Sequence, residues 1–172
     1  HDIAGIMGGE HSGCSESTSD VLLEVAYFTP ENIAKTGQVL TLTSDARTRF
    51  ERGVDPAFLD EAVEIITGLI LDICGGQASQ IVRAGQPPLA TKDIAYDIGL
   101  CASLGGVNVT ADQQKAILES LGFSVNSAWN VRVPSWRRDV EGPADLVEEV
   151  VRIHGIDKVP STALPRADGV AR

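Results

Sequence analysis

"TADQQKAILESLGFSVNSAWNVRV", Thr110 to Val133, passes from a helix to a pair of strands. Thr110 and Gln113 stand at capping-box spacing and Gly122 supplies a helix exit. Phe123–Val125 and Val131–Val133 then read as two strands across a short connection that holds Asn126 and Ser127. Just upstream, Ile94, Tyr96 and Ile98 alternate as a third strand would, and a last helix runs from about Pro143 to His154 and stops at Gly155. A helical face and short strands within one small unit imply a mixed α+β (α/β-containing) architecture.

Working toward the N-terminus, Pro87-Pro88 and the weakly patterned "LATK" make the best linker. The expected division is therefore 1–86, 87–163 and a linker or tail at 164–172. In the first segment "VLLEVAYF", Val21 to Phe28, is a β-type run, and Thr29-Pro30 opens a helix over "PENIAKTGQVL". A second helical stretch begins near Ser44-Asp45. Asp55 caps and Pro56 opens a long helix ended by Gly75-Gly76, whose stripe of Phe58, Leu59, Ala62, Val63, Ile65, Ile66, Leu69, Ile70 and Ile73 is wide enough to pack on a sheet. "ASQIVRAG" reads as a closing strand. No internal repeat is present.

With 172 residues and 43% hydrophobic content the chain has ordinary globular composition, enough for one real core or two small ones. Its longest apolar run falls far short of the roughly 20 residues a membrane span needs, so no membrane partner is expected. The N-terminal "HDIAGIMGG" lacks the pattern of a signal peptide. Cys14, Cys74 and Cys101 are odd in number and widely separated, which excludes a CxxC motif and fits a reducing cytoplasmic setting. A formal charge of -10 makes long-range attraction to a polyanion improbable, so any nucleic-acid contact must be local.

Two features carry candidate chemistry. "RDVEGPADLVEE", Arg138 to Glu149, crowds Asp139, Glu141, Asp145, Glu148 and Glu149 around a helix start. Asp145, Glu148 and Glu149 fall at i, i+3 and i+4, which predicts three carboxylates on one face, opposite Leu146, Val150 and Ile153. Oxygen-only ligands suit a hard cation such as Mg2+. The same acids equally suit a helix N-terminus, with Glu148 pairing to Arg152. The other feature is Glu24, a carboxylate inside an apolar run, which must be paired, hydrogen-bonded or facing a polar cavity. It either reads a ligand hydroxyl or pairs with Arg47 or Arg49. Gly8 and Gly9 in "GIMGGEHSG" permit either a tight turn or close approach of a ligand to the backbone. Neither His11 nor His154 has partners at metal or triad spacing.

The stretches "GIMGGEHSG", "VLLEVAYF", "LTSDARTRFERGVDP" and "VPSWRRDVEGPADLVEEVVRIHGIDKVP" resemble, in order and spacing, the β subunits of bacterial phenylalanyl-tRNA synthetases. The resemblance implies a central fragment of that subunit: the C-terminal part of the tRNA-editing domain over 1–86, then a small winged-helix-like module. It implies an α2β2 heterotetramer with an α-subunit partner that charges tRNA(Phe) using ATP and Mg2+, and a chain that does not aminoacylate alone. Glu24 matches the acid that recognises a tyrosyl hydroxyl, and Gly8, Ser44 and Ala46 match other residues of the editing pocket, with Ser44 standing where some relatives carry Thr. Asp139, Asp145, Glu148 and Glu149, but not Glu141, match ligands of a Mg2+ shared with the α subunit. No residue is singled out as the hydrolytic base. The competing expectation is a non-catalytic acidic module that only docks a partner subunit.

Overall fold

The computed structural model describes residues 1–163; the expected tail at 164–172 lies outside the described residues. The chain divides into two compact units, one of His1–Ala90 with Ser135–Arg138 and one of Thr91–Pro134 with the residues from Asp139 onward. Both mix helix with antiparallel strand, as the sequence pattern predicts.

The first unit begins with a minimal hairpin, β1 (Asp2–Ile3) paired antiparallel to β2 (Met7–Gly8), with Asp2 opposite Gly8 and Ile3 opposite Met7. Gly5 turns the chain at φ 67°, a left-handed value, and a Cβ there would meet the rings of Phe28 and Phe50. Helix α1 (Pro30–Leu40) follows Thr29, and α2 (Asp45–Phe50) follows Ser44. Small apolar contacts join these pieces: Ile6 and Ile33 are buried, and the Phe28 and Phe50 rings lie 5.1 Å apart at 59°. Gly37 leaves room for Arg47, whose guanidinium donates to the Leu42 carbonyl at 2.5 Å and to Glu51 at 3.0 Å. Arg47 is thus spent within the helix pair rather than on Glu24.

Three expectations in this unit change. Val21–Phe28 forms no strand, because a β-type run becomes one only when another strand completes its hydrogen-bond ladder, and none of the described residues does so. Ala78–Gly85 is non-regular for the same reason. Helix α3 (Leu59–Cys74) starts three residues beyond Pro56, since Asp55 accepts from the Ala57 amide and holds a turn there, and its apolar stripe is not packed on a sheet: Ile65, Ile66, Leu69 and Ile73 are exposed.

The second unit has a sheet of strand order β3-β5-β4, all antiparallel: β3 (Lys92–Ala95), β4 (Ser124–Val125) and β5 (Asn130–Val133). The register pairs Ile94 with Val131 and Val125 with Val131, so these side chains share the buried face while Asp93 and Arg132 pair on the outside at 3.0 Å. Over that face pack α4 (Leu100–Ser103), α5 (Ala111–Ser120) and α6 (Pro143–Gly155). The Thr110–Gln113 capping box forms in both directions. Leu118, Val131, Val140, Leu146 and Val150 are fully buried. Helix α4 escapes the sequence pattern because it is barely one turn long.

The polar side chain of Gln114 is buried in this core. Its amide nitrogen donates to the carbonyls of Ile98 at 3.0 Å and Val109 at 2.8 Å, and its oxygen accepts from the Tyr96 hydroxyl at 2.8 Å. It therefore satisfies two loop carbonyls that no helix or ladder reaches. Replacing Gln114 with Leu keeps the volume but orphans the two carbonyls and leaves the Tyr96 hydroxyl with Cys101 Sγ, 3.0 Å away, as its remaining partner. We expect a loss of about 2–4 kcal/mol, read as a lower urea midpoint at an unchanged slope.

Candidate functional site

Several of the residues singled out in the first unit meet around one cavity. About 210 Å³ in volume, it is lined by the hairpin residues Asp2, Ile3, Gly5, Ile6, Met7 and Gly8, by Glu24, Ala26 and Phe28, and by Ala46 and Phe50 of α2. Glu24, Ala26 and Phe28 keep the alternation of an extended chain, every second residue facing the cavity, although no ladder holds them. Tyr27, between two of them, carries the Arg138 guanidinium 5.5 Å above its ring.

Three of the four expected pocket residues, Gly8, Glu24 and Ala46, line this cavity. Ser44 does not; it acts from behind. As N-cap of α2 its hydroxyl accepts from the Arg47 amide at 3.0 Å and donates to the Ile6 carbonyl at 2.5 Å. That bridge ties the start of α2 to the hairpin and so places Ala46 and Phe50 across from Gly8. Asp2, Gly5, Phe28 and Phe50 were not picked out by sequence reasoning. A φ > 0 glycine and a pair of aromatic rings far apart in sequence are visible as a wall only once the hairpin and α2 are docked.

Chemically the cavity is an apolar slot with one acidic end. Asp2 and Glu24 are the titratable residues on its wall. Partial desolvation raises the Glu24 carboxyl above its ordinary range, and the negative charge of Asp2 raises it further. A ring with a hydrogen-bonding substituent suits such a slot, since its face meets Phe28 and Phe50 while its substituent meets Glu24. A second cavity of about 370 Å³, along α1 and lined by Ile3, Ile6, Tyr27, Phe28, Asn32 and Ile33, among others, has no carboxylate on its wall.

The acids of the second unit behave differently from one another. Asp145 Oδ2 accepts from the amides of Glu141 and Gly142 at 2.7 and 2.8 Å, closing the N-terminus of α6. Those two bonds hold its carboxyl below the usual carboxylate range, against the upward pull of desolvation and of the like charge of nearby Asp139. Glu149 is not on the exposed face expected for it: it is buried, and its carboxylate accepts from Arg152 at 2.7 Å, the partner that the sequence pattern gave to Glu148. Glu148 and Asp139 are exposed. The reason is angular, because residues 148 and 149 differ by 100° around a helix whose Leu146, Val147, Val150 and Val151 are all buried. Among the described residues no three His, Cys, Asp or Glu side chains are placed to hold a metal ion together. Asp139, Asp145, Glu148 and Glu149 of this chain by themselves do not fit a Mg2+ site built from converging carboxylates.

Asp145→Ala is expected to destabilise the second unit by about 1 kcal/mol, whereas Glu148→Ala is near neutral. A carboxyl whose folded pKa is depressed contributes stability that is fully present above its unfolded value. The gap between Asp145→Ala and the unsubstituted protein should therefore hold at neutral pH and close as pH falls below about 4, in denaturant melts across pH.

Comparisons with known proteins bear on both units. Residues 1–75 match the B3/4 domain, and residues 94–156 match the tRNA synthetase B5 domain. The chain is 69% identical over all of its 172 residues to the phenylalanine–tRNA ligase β subunit of Novosphingobium aromaticivorans, covering 22% of that protein. It is 54% identical, over 99% of its length and 22% of the relative, to the β subunit of Zymomonas mobilis. Against that of Paramagnetospirillum magneticum it is 50% identical over 95% of its length and 21% of the relative. The chain thus spans about a fifth of the length of the curated relatives it matches. No helix among the described residues is long and apolar enough to cross a membrane.

Proposed function

Because the chain belongs to the phenylalanine–tRNA ligase β-subunit family, we propose that its cavity serves hydrolytic editing: it accepts the side chain of tyrosine wrongly attached to tRNA and rejects phenylalanine. ATP- and Mg2+-dependent charging of tRNA with phenylalanine belongs, in this reading, to the complete enzyme in the cytoplasm, with an α-subunit partner and tRNA(Phe). This chain contributes the editing wall and the small module after it, without aminoacylating on its own.

The observation that carries the reading is Glu24, a carboxyl at the edge of a slot otherwise walled by Ile3, Ile6, Met7, Ala26, Phe28, Ala46 and Phe50, with Asp2 beside it. A pocket that binds phenylalanine cannot strongly reject a ring that merely adds a hydroxyl; discrimination of that kind is on the order of a hundredfold. A second site built to hydrogen-bond the hydroxyl can do far better in the opposite sense, because the ring that lacks it leaves the site's polar group unpaired. Glu24 supplies such a group, accepting the phenolic proton. Gly5 and Gly8 keep the hairpin wall free of side-chain bulk, and Phe28 and Phe50 exclude water from the ring faces. No general base is assigned to this chain; its residues bind and orient the substrate.

Glu24→Ala in the complete αβ enzyme should lower kcat/KM for deacylation of tyrosyl-tRNA by about 10- to 100-fold, the scale of one hydrogen bond to a charged group. Deacylation of phenylalanyl-tRNA should stay low and unchanged or rise. Tyrosyl-tRNA hydrolysis at the unsubstituted rate would remove Glu24 from the site and leave the cavity without this function.

A further inference from the structure

A positively charged patch with an exposed indole lies next to the cavity in the first unit. The segment Ser135–Arg138 packs with that unit, tethered where the Ser135 hydroxyl donates to Asp55 at 3.1 Å. Its Arg138 runs along Gly53, where a Cβ would stand 2.7 Å from the arginine Nε, and sets its guanidinium 5.5 Å above the Tyr27 ring. Gly53 turns the chain after α2 at φ 90°, so glycine is needed there twice, for the turn and for the arginine. Arg49 and Arg52, from α2 and that same turn, are exposed, and so is Trp136, at 57%. Among the described residues Arg49, Arg52 and Arg138 take part in no ion pair, unlike Arg47 on the same helix, which is bonded to Glu51.

Three guanidinium groups without an acid stand out in a chain whose formal charge is -10. The indole beside them keeps most of its apolar surface in water, so its position is not explained by packing. Guanidinium groups with an open aromatic face suit single-stranded nucleic acid, whose phosphates pair with the former and whose bases stack on the latter. An acidic protein surface would account for the charges but not for the indole. The location agrees, because Phe50, which lines the cavity, falls between Arg49 and Arg52, and Tyr27 falls between the cavity residues Ala26 and Phe28. An amino acid on tRNA is esterified to the terminal nucleotide, so when its side chain fills the cavity the end of the strand must lie alongside. We propose that Arg49, Arg52, Arg138 and Trp136 form a landing surface for single-stranded RNA, the 3′ end of the tRNA whose amino acid enters the cavity. The arginines take its phosphates and Trp136 takes the face of a base. Arg138 keeps the N–H edge of its guanidinium for a phosphate while its face rests on Tyr27. The attraction is confined to this patch and needs no basic charge on the rest of the chain.

This inference rests on the editing reading of the cavity, and its test separates the two. Binding of a labelled, short single-stranded RNA ending in CCA to the complete αβ enzyme is followed by fluorescence anisotropy over a series of salt concentrations. Arg49→Gln and Arg52→Gln, at exposed and unpaired positions where folding is retained, should each weaken binding and flatten the plot of log affinity against log salt by about 0.7, the share of one phosphate on a single strand. Trp136→Ala should weaken binding by about 5- to 100-fold at an unchanged slope, and Trp136→Phe, which keeps an aromatic face, should restore most of it. The same variants should raise KM for tyrosyl-tRNA deacylation and leave kcat within about twofold. A slope that neither arginine substitution changes, or a Trp136→Phe variant as weak as Trp136→Ala, overturns the surface. So does a loss of αβ assembly in sedimentation with RNA binding intact, which would make the patch a protein contact. If instead Glu24→Ala leaves tyrosyl-tRNA deacylation at the unsubstituted rate, it is the cavity's editing function that fails, and the slopes measured with the oligonucleotide still decide the patch.

Discussion

The first unit hangs on one hydroxyl. Ser44 Oγ accepts from the Arg47 amide and donates to the Ile6 carbonyl, so the same atom that starts α2 also fastens it to the hairpin turn. That bridge joins the ring contact of Phe50 with Phe28 in fixing Ala46 and Phe50 relative to the hairpin wall of the slot. A hydroxyl is the smallest group that can both accept and donate here, which is why a Thr would serve and an Ala would not. The residue that organises the candidate site is therefore not one that touches its contents.

The second unit solves a different problem. Its loops around Ile98 and Val109 carry carbonyls into a core of Val, Leu and Phe, and the Gln114 amide answers both while holding the Tyr96 hydroxyl. At the other end of the unit the acid-rich helix start is divided by geometry into distinct jobs. Asp145 closes the helix, Glu149 is turned into the core edge with Arg152, and Asp139 and Glu148 remain on the surface. Sequence spacing counts these carboxylates as one group, whereas the fold separates them.

Much of the architecture was legible because it depends on local signals. The Thr110–Gln113 capping box, the Gly122 exit, the strand pair that follows and the helix from Pro143 to Gly155 all follow from side chains within a few residues of one another. What failed was non-local. Val21–Phe28 has the composition of a strand, but its ladder partner is a property of another segment, and α3 has the stripe of a packed helix without burying it. Similarly Glu24 stood out as a charge in an apolar run, while Asp2, two residues from the start and unremarkable in sequence, did not.

By itself the sequence determined the α+β class, the helix caps, the position of the anomalous Glu24 and the family resemblance, since each is written in contiguous or regularly spaced residues. Only the tertiary structure decided which groups come together: Asp2 and Glu24 on the wall of one cavity, Arg47 with Glu51 rather than with Glu24, and Glu149 with Arg152 instead of with the other acids. The physical reason is that periodicity fixes the direction of a side chain about its own helix or strand, but the partner it meets depends on the docking of segments far apart in the chain.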